Sequence, residues 1–243
     1  MGILVQREFS VAKDHRTEFE RQSRLGVWEN MRFNGAQMIG FGNWAFGGDG
    51  DVVVTHSVYE NFDHWTATRP WGVFTTEEAR IEETQTIRQV FASRLRLVEK
   101  SRATLIEYDS EISSPEPKWR SVGEALAPLP QSFGAQSVIA ETRFQPEDEE
   151  QFKTLTIDAL WPWYVENGAR PLIYGWDPLA SPGNVITYIA FKDVSHFQNL
   201  WWPNQSIKQS WSLRDGIAAQ QSTRLLMVTT RYGADSQPDY IKN

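Results

Sequence analysis

The sequence predicts an α+β fold made of two successive βαββαβ units whose sheets pack against each other. Two observations carry this. "NGAQMIGFG" at residues 34–42 returns as "NGARPLIYG" at residues 167–175, an offset of 133 residues. The same offset takes Phe19 to Phe152, Trp28 to Trp161 and Glu8 to Glu141; after one deleted residue His64 falls on His196 and Thr55 on Thr187. Landmarks that keep their order this far mark an internal repeat.

Each copy has the same elements in the same order. Residues 3–11, "ILVQREFSV", alternate Val5, Phe9 and Val11 with Gln6, Glu8 and Ser10, the period of a strand, and "SVIAETRF" at 137–144 does likewise. Helical stretches at 14–33 and 148–166 follow. Asp14 and Asp148 to Glu150 lie in their first turns, where carboxylates favour the helix dipole. Both stretches stop at Asn-Gly, and Gly35 and Gly168 suit the left-handed residue that ends a helix. Pro162 is expected to kink the second one.

A second strand (37–46, 170–176) then turns into a third (51–59, 184–191). The turn "GGDGD" is a hairpin signal, and "PLASPGN" is a longer loop. Asn61 and Asp193 read as N-caps of a second helix. "ATLIEYD" (103–109) and "RLLMVTT" (224–230) close the two copies. Residues 110–136 contain Pro115, Pro117, Pro128 and Pro130 and read as a linker, which divides the chain into 1–109, 110–136 and 137–243.

The order βαββαβ is the ferredoxin-like unit. One such unit covers only one face of its sheet with helices, so the other face needs a second sheet. That need explains the repeat. On these residues the chain resembles the dimeric α/β-barrel superfamily in tandem form, and "VVVTHSVYENFDHW" is most similar to NIPSNAP-like members. The resemblance implies a pseudo-dimeric α/β barrel with its helices outside and a site between the sheet and helices of one unit. Members include lyases, isomerases, polyketide cyclases, cofactor-free monooxygenases and haem proteins, so the fold names no single chemistry.

Composition narrows the classes. The formal charge is −7 without a basic run, which argues against nucleic acid or an anionic membrane surface as the partner. No apolar run approaches a membrane span of roughly 18–20 residues, and the N-terminus lacks the pattern of a signal peptide. Cysteine is absent, which removes disulfides and thiolate chemistry. A cytoplasmic protein is expected, with a small hydrophobic molecule as partner and a homo-oligomer possible. The 11 tryptophans suit either core packing or a pocket with aromatic walls.

Site residues follow from strand alternation. Val5, Arg7, Phe9 and Val11 share one face of the first strand, and Val52, Val54, His56 and Val58 share one face of the third. Both faces are expected to meet helices, so Arg7 and His56 are polar exceptions in one apolar cavity. Ala140 and Tyr188 take their places in the second copy. His56, kept neutral by the neighbouring cation, is the candidate general base. Arg7 is the candidate holder of a carboxylate or a developing enolate or phenolate oxygen. Tyr188 is the catalytic candidate of the second half.

Trp28, Trp44 and Trp71 lack core spacing on a helix and are candidate substrate-binding walls. In the competing reading His56 is structural. His64 and His196 recur in the first turns of helices, which fits a scaffold role. No metal site is expected, since neither HExxH nor another short-spaced ligand set occurs.

The expected function is a cofactor-independent enzyme acting by acid/base chemistry on an aromatic, polyketide or terpenoid-like molecule, as a cyclase, isomerase, lyase or monooxygenase. Two alternatives stand beside it. One is a non-catalytic NIPSNAP-like binding protein; the other is a haem-binding tandem barrel with His196 or His56 as axial ligand.

Overall fold

A computed structural model describes residues 1–28, 31, 36–68, 88–113, 133, 137–180, 182–201, 207–232 and 238–240. Trp71, Gly35 and nearly all of the expected linker lie outside the described residues.

The first half contributes β1 (Gly2–Val11), α1 (Arg16–Gln22), β2 (Gln37–Phe46), β3 (Val52–Tyr59), α2 (Phe62–Ala67) and β4 (Val98–Tyr108). The second contributes β5 (Val138–Pro146), α3 (Glu149–Thr154), α4 (Trp161–Glu166), β6 (Arg170–Trp176), β7 (Val185–Phe191), α5 (Val194–Trp201), α6 (Lys208–Gly216) and β8 (Ala218–Tyr232). A short β9 (Pro238–Tyr240) pairs with the end of β8.

Strand order is the same in each half: β2–β3–β1–β4, then β6–β7–β5–β8. β4 pairs with β6, and β8 pairs with β2, so eight antiparallel strands close into a barrel. Closure explains one repeated residue. A side chain at Gly42 would collide with the Met227 carbonyl, and one at Gly175 with the Glu107 carbonyl. The matched glycines therefore sit at the two seams, where neighbouring backbones approach most closely.

Among the described residues, three apolar clusters result. Leu4, Val54, Val58, Ile106, Ile139 and Leu226 fill the barrel interior. Val5, Phe9, Phe19, Trp28, Phe41 and Val53 fill the layer between sheet and helices in the first half. Ala140, Phe144, Phe152, Trp161, Tyr174 and Ile189 fill that layer in the second.

The helices begin as the sequence suggests. Asp148 accepts from the Gln151 N–H at 2.9 Å, Asn61 from His64 at 2.8 Å and Asp193 from His196 at 2.7 Å. The recurrent histidines complete these starts: Nδ1 of His64 accepts from the Glu60 N–H and that of His196 from the Lys192 N–H, at 3.0 and 3.1 Å. Gly168 ends its helix with φ +81°. α1 continues into a π-helical turn at Ser23–Trp28, and Leu155–Leu160 forms the matching turn between α3 and α4. Pro162 follows this wide turn, which relieves the crowding that its ring would cause in an α-helix. None of the described helices is long and apolar enough to cross a membrane.

The closing strands start earlier than their apolar segments. β4 begins at Val98 because the exposed stretch Glu99 to Arg102 pairs with β1 although it buries little.

Candidate functional site

In an antiparallel pair, residues directly opposite each other share a face of the sheet. The β1–β3 register sets Gln6 opposite His56 and Arg7 opposite Thr55. His56 therefore points into the barrel interior with Val54 and Val58, and Arg7 points at the helices with Val5 and Phe9. The expectation that Arg7 and His56 face one cavity is corrected. β3 is buried along both faces, so its apolar alternation carries no phase, and only the pairing register decides it.

The same geometry corrects the match between the halves. Glu141 stands opposite Tyr188 and Thr142 opposite Thr187. Gln6 is thus equivalent to Glu141, and Arg7 to Thr142 rather than Ala140. The slip is two residues, which preserves the face but changes the residue.

What the structure brings together is His56 and Tyr188. Their rings meet edge-on at 5.3 Å between centroids, and both are fully buried. The Gln6 amide nitrogen reaches His56 Nε2 and Glu141 Oε2, each at 2.8 Å, while its oxygen accepts from Arg224 at 2.8 Å. Tyr188 donates to Glu141 Oε2 at 3.0 Å. Arg224 grips both Glu141 oxygens at 2.8 and 2.9 Å and reaches Glu8 at 2.8 Å, and Arg143 donates to Glu141 at 2.7 Å. Trp44 lies under the Arg224 guanidinium at 4.0 Å and donates to Glu8 at 3.1 Å. Trp44 is therefore a brace inside the barrel rather than a wall of a helix-side pocket. The network ties β1, β2 and β3 of the first half to β5, β7 and β8 of the second.

His56 is neutral at pH 7: burial pushes it down to about 4, with Glu141 opposing and Arg224 assisting. Its Nδ1 has no partner among the described residues and faces Gly40, near Ile139 and Leu226. The consequence for stability has a definite sign. Between pH 6.5 and 4 the unfolded chain takes up a proton that the folded one refuses, so stability falls as the pH falls, by about 3 kcal/mol. Urea midpoints measured across this range should drop less in His56→Gln than in the parent protein. Equal slopes would show that His56 is not held neutral.

Among the described residues, Arg94 joins Arg7 as a second cation in the first-half layer. Arg94, from the helical residues 88–95, lies 4.5 and 4.2 Å from the Phe9 and Phe19 ring centroids and donates to Ser23 Oγ at 2.6 Å. Burial first, and then the Arg7 charge, lower its pKa to about 9, so it remains cationic at neutral pH. Sequence reasoning missed Arg94. Its signal was Arg214, which stands before β8 as Arg94 stands before β4 and lies 4.8 Å from Phe144. Arg94 is thus common to both halves, whereas Arg7 belongs to the first alone. Trp28 is buried in the same layer, edge-on to Phe41 at 5.3 Å.

The histidines do not fit a haem. His196 Nδ1 accepts from a backbone N–H, and its Nε2 bonds the Asn167 carbonyl at 2.9 Å. His56 Nε2 is held by Gln6, and its other nitrogen faces the barrel core. Among the described residues no group of three His, Cys, Asp or Glu side chains could hold a metal ion.

No protein-family model matches the sequence, and no curated protein matches it either. Solved structures do. A candidate monooxygenase from Lactobacillus acidophilus is similar over 93% of this chain and 93% of its own, with TM-score 0.59 and 12% identity. One from Fusobacterium nucleatum covers 98% of this chain and 94% of its own, again with TM-score 0.59 and 12% identity. A NIPSNAP family protein from Agrobacterium tumefaciens matches 43% of this chain at TM-score 0.34 and adds nothing to the fold assignment. At these identities the likeness extends to the dimeric α/β-barrel fold and not to the chemistry.

Proposed function

We propose that the chain is a pseudo-dimer. Its halves 1–109 and 137–243, each ferredoxin-like, would stand where two subunits stand in a dimeric α/β barrel. The shared strand order supports this reading. In the first half, the layer between sheet and helices binds and transforms a hydrophobic small molecule that carries an ionisable oxygen.

The observation behind the functional part is Arg7. It places a cation on the helix-facing side of a central strand, among Val5, Phe9 and Phe41, where the second half has Thr142. Arg94 adds a second positive charge to that layer. A guanidinium in apolar surroundings favours a carboxylate, phenolate or enolate over its neutral form. Trp28 and Phe41 supply apolar wall. A reaction of the substrate's own anion fits best, as isomerisation or oxygenation without a cofactor, because Arg7 would stabilise the developing oxyanion. His56 faces the other side of the sheet and has no part in it. The two fold neighbours named as candidate monooxygenases are the reason to include oxygenation among the reactions assayed.

Calorimetric titration with naphthoate and with uncharged naphthamide tests the reading. The carboxylate should bind at least about tenfold more tightly, as expected for a hydrogen bond to a charged group, and Arg7→Met should remove the difference. Equal affinities, no binding of either probe, or a preference that survives in Arg7→Met would contradict it. Oxygen uptake or isomerisation of a bound phenolic compound would then distinguish an enzyme from a binding protein.

A further inference from the structure

The two seams of the barrel are unequal. At the β2–β8 seam, pairing runs from Phe41 opposite Thr230 to Phe46 opposite Leu225. At the β4–β6 seam it consists of Glu107 opposite Trp176 and Tyr108 opposite Gly175. β6 stops there because the Asp177 N–H is taken by the Asn184 side-chain oxygen at 2.7 Å, and Pro178 has no N–H to offer. β4 nevertheless continues along β1 as far as Val98. Among the described residues, its outer edge from Val98 to Ile106 therefore pairs with no strand, and Glu99 to Ala103 are exposed.

Charge along this edge is unbalanced. Lys100 stands opposite Ser10, Arg102 opposite Glu8 and Thr104 opposite Gln6, so both cations lie on the same face of the sheet as Gln6. Glu8 does not neutralise Arg102, because it already accepts from Arg224 at 2.8 Å and from the Trp44 indole at 3.1 Å. Among the described residues, neither the Lys100 ammonium nor the Arg102 guanidinium has an ion pair or hydrogen bond. Ser101 and Ala103, on the other face, are small. Glu99 is the extra residue of a bulge against β1, so the regular edge begins at Lys100.

A free edge can take up another strand, with main-chain hydrogen bonds supplying affinity and alternate side chains supplying specificity. A second copy of β4 is the wrong occupant. The outward ladder groups of one edge belong to alternate residues, so in a two-fold antiparallel pair a residue meets itself or one an even number of positions away. Centred here, such a pair sets Lys100 against Lys100, Lys100 against Arg102, or Arg102 against Arg102. Like charges directly opposite each other are destabilising. We infer that the β4 edge from Lys100 to Leu105 is a docking site for an extended acidic peptide segment of a partner protein. Two carboxylates, two residues apart, stand opposite Lys100 and Arg102, and an apolar residue between them stands opposite Ser101. The charges that keep the edge from pairing with its own copies thus select an acidic strand.

The peptide Thr-Val-Glu-Val-Glu-Val-Thr, blocked at both ends, tests this by amide NMR of the isotope-labelled protein. Titration should move the signals of Lys100 to Leu105 and slow exchange at alternate amides there. Glutamine in place of both peptide glutamates should weaken binding about two- to thirtyfold, the range for two cross-strand charge pairs. Lys100→Glu/Arg102→Glu should fold normally, since both side chains are exposed, and should prefer the peptide with lysines in place of the glutamates. Two further peptides carry N-methyl groups on alternate residues, in the two possible phases. The one whose blocked N–H groups face β4 should not bind. Four results would overturn the inference: β4 signals unmoved at millimolar peptide, equal affinity for the glutamate and glutamine peptides, binding of both N-methylated peptides, or a free protein that sediments as a dimer with its β4 amides already protected. The first would make Lys100 and Arg102 guards of the edge and nothing more.

Discussion

Glu141→Ala is expected to lower stability by about 3–5 kcal/mol, the usual result of removing one partner from a buried charge cluster. For a chain of this size that corresponds to a fall in Tm of about 6–20 °C. The reason lies in what the carboxylate holds. Only 1% of Glu141 is exposed, and its two oxygens receive Arg224, Arg143, Tyr188 and the Gln6 amide. Truncation leaves the Arg224 and Arg143 guanidiniums side by side on neighbouring strands without the carboxylate they share. The pH dependence points the same way. Burial by itself would raise the carboxyl pKa, but Arg224 and Arg143 outweigh it and the net shift is downward from 4.5. The stabilisation is therefore complete above the ordinary glutamate range and is lost as the pH falls through the depressed folded value. Thermal melts of Glu141→Ala at pH 7 check the magnitude, and an unchanged Tm would show that the two halves are not joined through this cluster.

Arg7→Met should change how a bound phenol ionises. A cation beside a phenol lowers its pKa by about 1–3 units, whereas an apolar wall raises it. Naphthol held in the first-half layer should thus ionise about 1–3 units higher in Arg7→Met than in the parent protein. The naphtholate absorption band reports this directly, at saturating protein. Met keeps the length of the side chain, so loss of packing does not mimic the effect. If the two proteins show the same bound-state titration, the Arg7 charge does not reach the ligand.

The recurring sequence landmarks made the strand order legible. Strand limits, the caps Asn61 and Asp193, and the common order of elements all follow from local patterns. What escaped depends on pairing between distant segments. β3 is apolar on both sides, so its phase, and with it the side on which His56 lies, is fixed only by the Gln6–His56 register. The Arg224–Glu8 contact spans 216 residues, and no spacing in the sequence announces it. Trp44 looked like a pocket wall because nothing local reveals that Arg224 stacks on it. Arg94 and Arg214 were hidden for a different reason: the connection before the last strand is shorter in the second half, so they do not recur at the offset that exposed the other landmarks.

The central claim is that a hydrophobic anion sits against Arg7 between the sheet and the helices of the first half. A crystal structure with naphthoate tests it most directly. The account predicts the carboxylate within about 3 Å of the Arg7 guanidinium, the usual reach of such a bond, with the ring system against Trp28 and Phe41. Naphthoate seated in the barrel interior beside His56 and Tyr188, or in the Tyr174 layer with Arg7 empty, would contradict it.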